Sequence, residues 1–166
     1  MDQEIKEISL KFRLIKNKKI VGYEKFQENG IYGVNAGGWT YAENDLTDPW
    51  IHEKDGGQFI IDYDTKDQFI GMEDRDENEI YVNDYIKGFN KVFVVKFGVV
   101  RRKMKNNCIV DIPSFYFKDI LTDLCLYPIA DNFKDEHDLD TLKVIGNTHK
   151  NILQIKDGEY FLKERT

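Results

Sequence analysis

Four cations crowd into five positions at Arg101, Arg102, Lys103 and Lys105, the densest concentration of positive charge in the chain. Beside Phe93, Phe97, Tyr81 and Tyr85 they could build the surface of a single-strand nucleic-acid binder, with cations on phosphates and rings stacked on bases. The competing reading is a charged hairpin tip that keeps a β edge from aggregating. A second group, Trp39, Tyr41 and Trp50, consists of the residue types that dominate protein-interface hot spots, and the same rings would serve equally as core packing.

Other chemistry is harder to assemble. His52, His137 and His149 are scattered, with no second ligand at metal spacing, so neither a metal nor a cofactor is expected. Asp135, Glu136, Asp138 and Asp140 lack the glycine and the terminal glutamate of a calcium loop and read as a solvated acidic loop. The Gly37-Gly38-Trp39 stretch has no Lys-Ser/Thr partner and no following helix signal, which argues against a phosphate cradle. Cys108 and Cys125 are too far apart for a zinc knuckle, neither adjoins a histidine, and both are expected as buried free thiols. Among 30 acidic residues any chosen carboxylate pair carries little information, and there is no Gly-x-Ser-x-Gly elbow. A non-enzymatic protein is the expectation.

The elements that would position these residues are strands. Of 166 residues 41% are hydrophobic and 33% charged, inside the globular range, and 11 Phe and 9 Tyr against 3 Pro tilt the class toward β. A net charge of −6 argues against a non-specific nucleic-acid coat. The opening Met1–Glu7 is charged and lacks a signal-peptide core, and no run reaches the ~18 apolar residues of a membrane span, so a cytoplasmic location is expected.

Along the chain, Ile8, Leu10, Phe12 and Leu14 alternate with polar residues, predicting a strand with one buried face. The polar break Asn17-Lys18-Lys19 before Ile20, Val21 and Tyr23 predicts a hairpin. Residues 28–57 read as loops pinned by aromatics, 58–63 as a short strand, and 62–67 as a seam between modules. Lys91–Val100 is almost continuously apolar and predicts a core strand covered on both faces. Cys108–Ile112 resumes strand character. Phe115–Tyr127 fits either a helix capped by Ser114 or a hairpin turning over Lys118–Asp123. Residues 130–140 suggest a surface loop or short helix, 142–146 a last strand, and 147–166 a segment trailing along the surface.

Gln68–Lys87 resembles the central motif of the YopX family, Q-[YF]-T-G-L-x-D-x-x-G-x-x-I-Y-E-G-D-I-V, with Gly71, Asp74, Ile80, Tyr81, Asp84 and Lys87 in register. Lys143–Asn151 is similar to the family's closing [EV]-V-I-G-N-I-[YH]-E-N, which includes Gly146 and Asn147, and Lys11-Phe12-Arg13 is similar to its usual I-K-F-R start. Glu77 stands where the family has a turn glycine, Val82-Asn83 replaces Glu-Gly, and Ile152 replaces a proline. The resemblance implies a phage or prophage protein of mostly β architecture, with structural roles for Gly71, Asp74, Ile80, Tyr81, Asp84, Gly146 and Asn147. It brings no established activity.

The expected fold is mainly β: an N-terminal module of hairpin and aromatic loops over residues 1–66, packed with a small Src-homology-3-like barrel over 67–150, a tail over 151–166, and few short helices. The expected function is a module that binds a phage or host protein or assembles with itself, with nucleic-acid binding through Arg101–Lys105 as the alternative.

Overall fold

A computed structural model describes residues 10–27, 38–43, 51–52, 61–104, 106–122, 124–126 and 141–165. Left-handed turns set the pairing of its strands. Asn17 and Lys18 (φ 49° and 65°), Phe89 and Asn90 (51° and 58°), and Asp157 and Gly158 (53° and 80°) each form a two-residue loop. Positive φ at both central positions matches the right-handed twist of the flanking strands, which is why such loops join antiparallel neighbours.

The chain divides into two compact units, Met1–Gly71 and Met72–Thr166. In the first unit, β1 (Lys11–Lys16) and β2 (Lys19–Gln27) form the expected hairpin, followed by β3 (Gly38–Glu43), β4 (Ile51–His52) and β5 (Thr65–Glu73), which carries the chain into the second unit. The spatial order is β4-β3-β2-β1-β5, all antiparallel. Here the simple alternation is corrected: Leu10 is exposed while Arg13, Leu14 and Ile15 are all buried, so β1 is covered on both faces at its centre. The buried Arg13 guanidinium donates to Asp67 across the β1–β5 pair at 2.9 Å. No strand occupies 61–63, and residues 58–60 lie outside the described set.

The second unit continues with β6 (Glu79–Tyr81), β7 (Asp84–Gly88), β8 (Lys91–Lys103), β9 (Ile109–Asp119), β10 (Cys125–Leu126) and β11 (Lys143–Asn147). β7 to β11 make an antiparallel sheet in the order β10-β9-β8-β7-β11. Its core is Ile80, Ile86, Val92, Phe93, Val95 and Phe117, each fully buried. Over the described residues of 115–127 the open alternative resolves as paired strands: Ser114 lies inside β9, and Cys125 and Leu126 of β10 pair back onto Lys118 and Phe117. Residues 151–165, expected to trail, instead form a hairpin of β12 (Asn151–Lys156) and β13 (Glu159–Glu164) around Asp157-Gly158. Asp-Gly between two runs of alternating apolar residues is the signal that favours it.

The described residues are therefore mainly β, in antiparallel sheets. They contain no helix, where a few short ones are expected, and the five-stranded sheet is not closed into a barrel. No helix among them is long and apolar enough to cross a membrane.

Candidate functional site: a projecting β-ribbon

The run Lys91–Val100 forms a strand, but only its first half is covered. Eleven consecutive pairs join β8 to β9, from Phe93↔Asp119 to Lys103↔Ile109. β7 accompanies β8 only from Lys91 to Val94, and β10 accompanies β9 only at Phe117 and Lys118. Beyond those supports the two strands continue as a ribbon with no third strand on either side among the described residues.

Side chains directly opposite one another share a face. Val95↔Phe117 therefore begins a row that runs through Phe97↔Phe115 and Val99↔Pro113 to Arg101↔Asp111 and Lys103↔Ile109. At the base this face is core, since Phe93, Val95 and Phe117 are fully buried. Two residues further on, Phe97 is 55% exposed and Val99 68%, and Ile109 near the tip is 66% exposed. The rings of Phe97 and Phe115 lie against each other, centroids 5.0 Å apart. On the opposite face Gly98 leaves space for the Tyr116 ring, which an added Cβ would meet at 3.3 Å. The core face thus extends into solvent as an apolar strip, the opposite of the two-sided burial expected.

The tip closes where the Met104 N–H donates to the Cys108 carbonyl at 2.8 Å and the Asn107 N–H to the Met104 carbonyl at 2.9 Å, with Asn107 left-handed at φ 64°. Of the four basic residues singled out in the sequence, Arg101 and Lys103 are exposed here, Arg102 is placed by its pairing with Val110, and Lys105 lies outside the described residues. Arg101 holds Asp111 through two bonds of 2.8 and 3.0 Å. This pairing raises the guanidinium pKa and lowers that of the Asp111 carboxyl. Both partners are solvated, so the pair orders the ribbon more than it stabilises it. Phe97 shares the face of these cations, whereas Phe93, Tyr81 and Tyr85 are buried and cannot stack on a ligand. Cys108 is exposed and Cys125 half-buried, correcting the expectation of buried thiols.

The second candidate group divides as well. Trp39 is half-buried on the β1–β2–β3 sheet, packed against Phe12 (6.0 Å) and Phe26 (5.5 Å). The Lys66 ammonium stands 4.2 Å above the Phe12 ring and 5.4 Å above Trp39, and it also donates to the buried Glu24 carboxylate. Tyr41 is half-buried two positions along β3, and Trp50 lies outside the described residues. This cluster is internally paired.

The residues in register with the family motifs do structural work around turns. Asp74 accepts the amides of Asp76 and Asn78 at 2.9 Å each and that of Val144 at 2.8 Å, tying the 74–78 turn to β11. Burial pushes its carboxyl up, but the bonds from Val144, Asn78 and Asp76 outweigh burial and hold it below the ordinary carboxylate value. Asp84 accepts the Tyr81 amide across a turn in which Asn83 is left-handed at φ 71°. Glu77, at the family's glycine position, is also left-handed at φ 63°. Gly71 takes φ 83°, and a Cβ on Gly146 would lie 2.5 Å from Asn151 Oδ1. Asn147 caps its own turn, accepting from the amides of His149 and Lys150, and Ile80 fills the core. The two motif stretches meet directly, through β7 and β11.

Chemistry does not converge elsewhere among the described residues. No three His, Cys, Asp or Glu side chains lie close enough to hold a metal. A cavity of about 650 Å³ is bordered by Lys87, Asn90, Lys91, Ile145, Glu159 and Tyr160, with Glu159 its one carboxylate. The Lys91 ammonium is taken by the buried Asp119 at 2.7 Å. In comparisons with known proteins, no family model matches the chain and no curated protein does either.

Proposed function

We propose that the chain is a non-enzymatic protein-interaction module whose contact surface is the β8–β9 ribbon, engaging a phage or host protein or a further copy of itself. The observation that carries the reading is the apolar strip of Phe97, Phe115, Val99 and Pro113, which continues the core face into solvent as far as the Arg101–Asp111 pair. A two-stranded ribbon without a third strand or a cover is marginal in water. Covering a Phe or Val side chain is worth roughly 1.5–3 kcal/mol, so a partner over Phe97 and Val99 stabilises the ribbon and the complex together.

The test compares the wild type with a Phe97→Lys/Val99→Lys variant, both positions being solvated and outside the core. Sedimentation velocity and affinity capture from host lysate serve as readouts. The wild type is expected to form a defined oligomer or to retain a partner, and the variant to lose it. A wild-type monomer that retains nothing, or a variant that retains everything, contradicts the reading.

One observation favours nucleic acid as a second reading: the exposed Phe97–Phe115 ring pair shares a face with Arg101 and Lys103. Asp111 on the same face works against it. Binding of single-stranded DNA or RNA at 50 mM salt that collapses as salt rises, and is lost with Arg101→Glu and Arg102→Glu, would support this reading. No binding at that salt removes it.

Membership of the YopX family and the prophage origin it brings are part of the proposal, supported by the pairing of the stretches 68–87 and 143–151. The succession of strands β5 to β9 through short turns supports a Src-homology-3-like strand order over 67–150, while the described five-stranded sheet is open and closure into a small barrel belongs to the proposal. Cross-strand NOEs closing the sheet on itself are the check.

A further inference from the structure

We propose that the outer edge of β8 accepts an added strand from a partner protein, and that this strand is acidic at one end and apolar at the other. The proposal rests on the reading of the ribbon as an interaction surface and names its mode and its ligand.

The direction of the backbone groups comes first. Along an antiparallel strand, successive residues turn their N–H and C=O to alternate sides. The Val92 carbonyl accepts from Ile120, on the β9 side, at 3.2 Å, and the Val95 carbonyl accepts from Asn83, on the β7 side, at 2.9 Å. Odd-numbered residues of β8 therefore face away from β9. Beyond Val95 these are Phe97, Val99, Arg101 and Lys103, and on the side away from β9 no described strand pairs with them.

The other edge of the ribbon differs. The Asp119 amide points away from β8, donating to the Leu124 carbonyl at 2.9 Å, so odd-numbered residues of β9 face outward too. Pro113 belongs to that set and has no N–H to offer. Proline at an outward position is one of the ways proteins blunt an edge against strand addition. β9 carries this device, and β8 has neither a proline nor a register shift along its eleven pairs. Among the described residues, the β9 edge is closed by proline and the β8 edge is open.

Charge then selects the occupant. Residues 96–103 hold Lys96, Arg101, Arg102 and Lys103 and no acid, in a chain whose net charge is −6. A second copy pairing β8 with β8 antiparallel about residue 100 would set Lys103 against Phe97 and Arg101 against Val99, giving the cations no counter-charge and the apolar side chains no apolar partner. A strand from another protein with apolar residues opposite Phe97 and Val99 and a carboxylate opposite Lys103, beside an Arg101 already held by Asp111, satisfies both halves. In strand addition the main chain supplies affinity and alternate side chains supply specificity.

The test is a fluorescence-anisotropy titration at physiological salt. Its probes are a labelled peptide of about eight residues, a strand's usual length, half Val/Thr and half Glu-rich, its Lys-for-Glu counterpart, and a single-stranded DNA oligonucleotide. The acidic peptide is expected to bind wild-type protein about tenfold or more tightly than the lysine peptide, the equivalent of about 1.4 kcal/mol or more. Val99→Pro removes an outward N–H while leaving the β8–β9 bonds in place, and is expected to cost about tenfold or more in the same titration. Should that variant fail to fold, amide exchange on the wild type decides: peptide binding must slow the amides of Phe97, Val99, Arg101 and Lys103.

Equal binding of the two peptides, indifference to Val99→Pro in a folded protein, unprotected edge amides, or binding of the oligonucleotide alone would overturn the proposal. The broader reading is separable. Loss of partner capture with Phe97→Lys/Val99→Lys but not with Val99→Pro leaves the interaction surface standing and removes strand addition; capture unaffected by either removes both.

Discussion

Glu77 occupies a left-handed conformation, φ 63°, that costs an L-residue with a Cβ roughly 1–2 kcal/mol. Glycine there avoids that cost but loses more freedom on folding, ~0.4–1 kcal/mol, so Glu77→Gly should stabilise the protein by up to about 1 kcal/mol in a chemical melt. Asp74 has the opposite character, because its carboxylate satisfies three amides and their loss leaves donors unpaired in a partly buried turn. Asp74→Ala should cost about 2–4 kcal/mol by the same measurement. The buried pair of Arg13 and Asp67 is a further weak point: removing one partner strands a charge, and Asp67→Ala should cost roughly 3–5 kcal/mol.

The pH response follows from the same residues. For Asp119 burial raises the carboxyl pKa, but bonds from Lys91, Leu121 and Thr122 outweigh it, and its pKa, like that of Asp74, lies below its unfolded value. A carboxylate of this kind contributes stability above its unfolded pKa and loses it as pH falls through the folded one. Stability should therefore drop on acidification below the ordinary carboxylate range, and an Asp119→Asn variant should show a shallower drop; an unchanged pH slope would count against that role.

At the scale of elements, the turns were the most legible feature, because Asn17-Lys18 and Asp157-Gly158 fall where left-handed pairs close hairpins. The polar break Asn17-Lys18-Lys19 predicts the first hairpin; the same rule covers the second, where the overall polarity of 147–166 suggests a trailing segment instead. The helix-or-hairpin choice over 115–127 was undecidable because Phe117, Ile120, Leu121 and Leu124 fit a helical face as well as they fit strands. Only pairing with β8 settles it. The apolar run of β8 misled for a different reason. A hydrophobic pattern records that a face needs covering and is silent on what covers it, so Phe97 and Val99 look the same in sequence as Phe93 and Val95. The site was half legible: Arg101–Lys103 marked its tip, while the apolar strip became visible only from register. Gly98→Pro, which removes an N–H directed at β9, should disrupt the ribbon and shift its amide exchange, whereas Val99→Pro should leave the β8–β9 ladder protected.

For the whole molecule, an acidic chain carries its one basic concentration at the end of an apolar ribbon. Such a distribution speeds the approach of acidic partners and makes it salt-dependent, with little bearing on the fold itself. Amide hydrogen exchange resolved by residue, on the free protein and on the complex recovered by affinity capture, is the most direct test of where contact occurs. Slowing confined to residues 97–103 and 109–115 is the predicted result. Slowing in the β1–β2–β3 sheet or the β12–β13 hairpin, with the ribbon exchanging as fast in the complex as in the free chain, would contradict it.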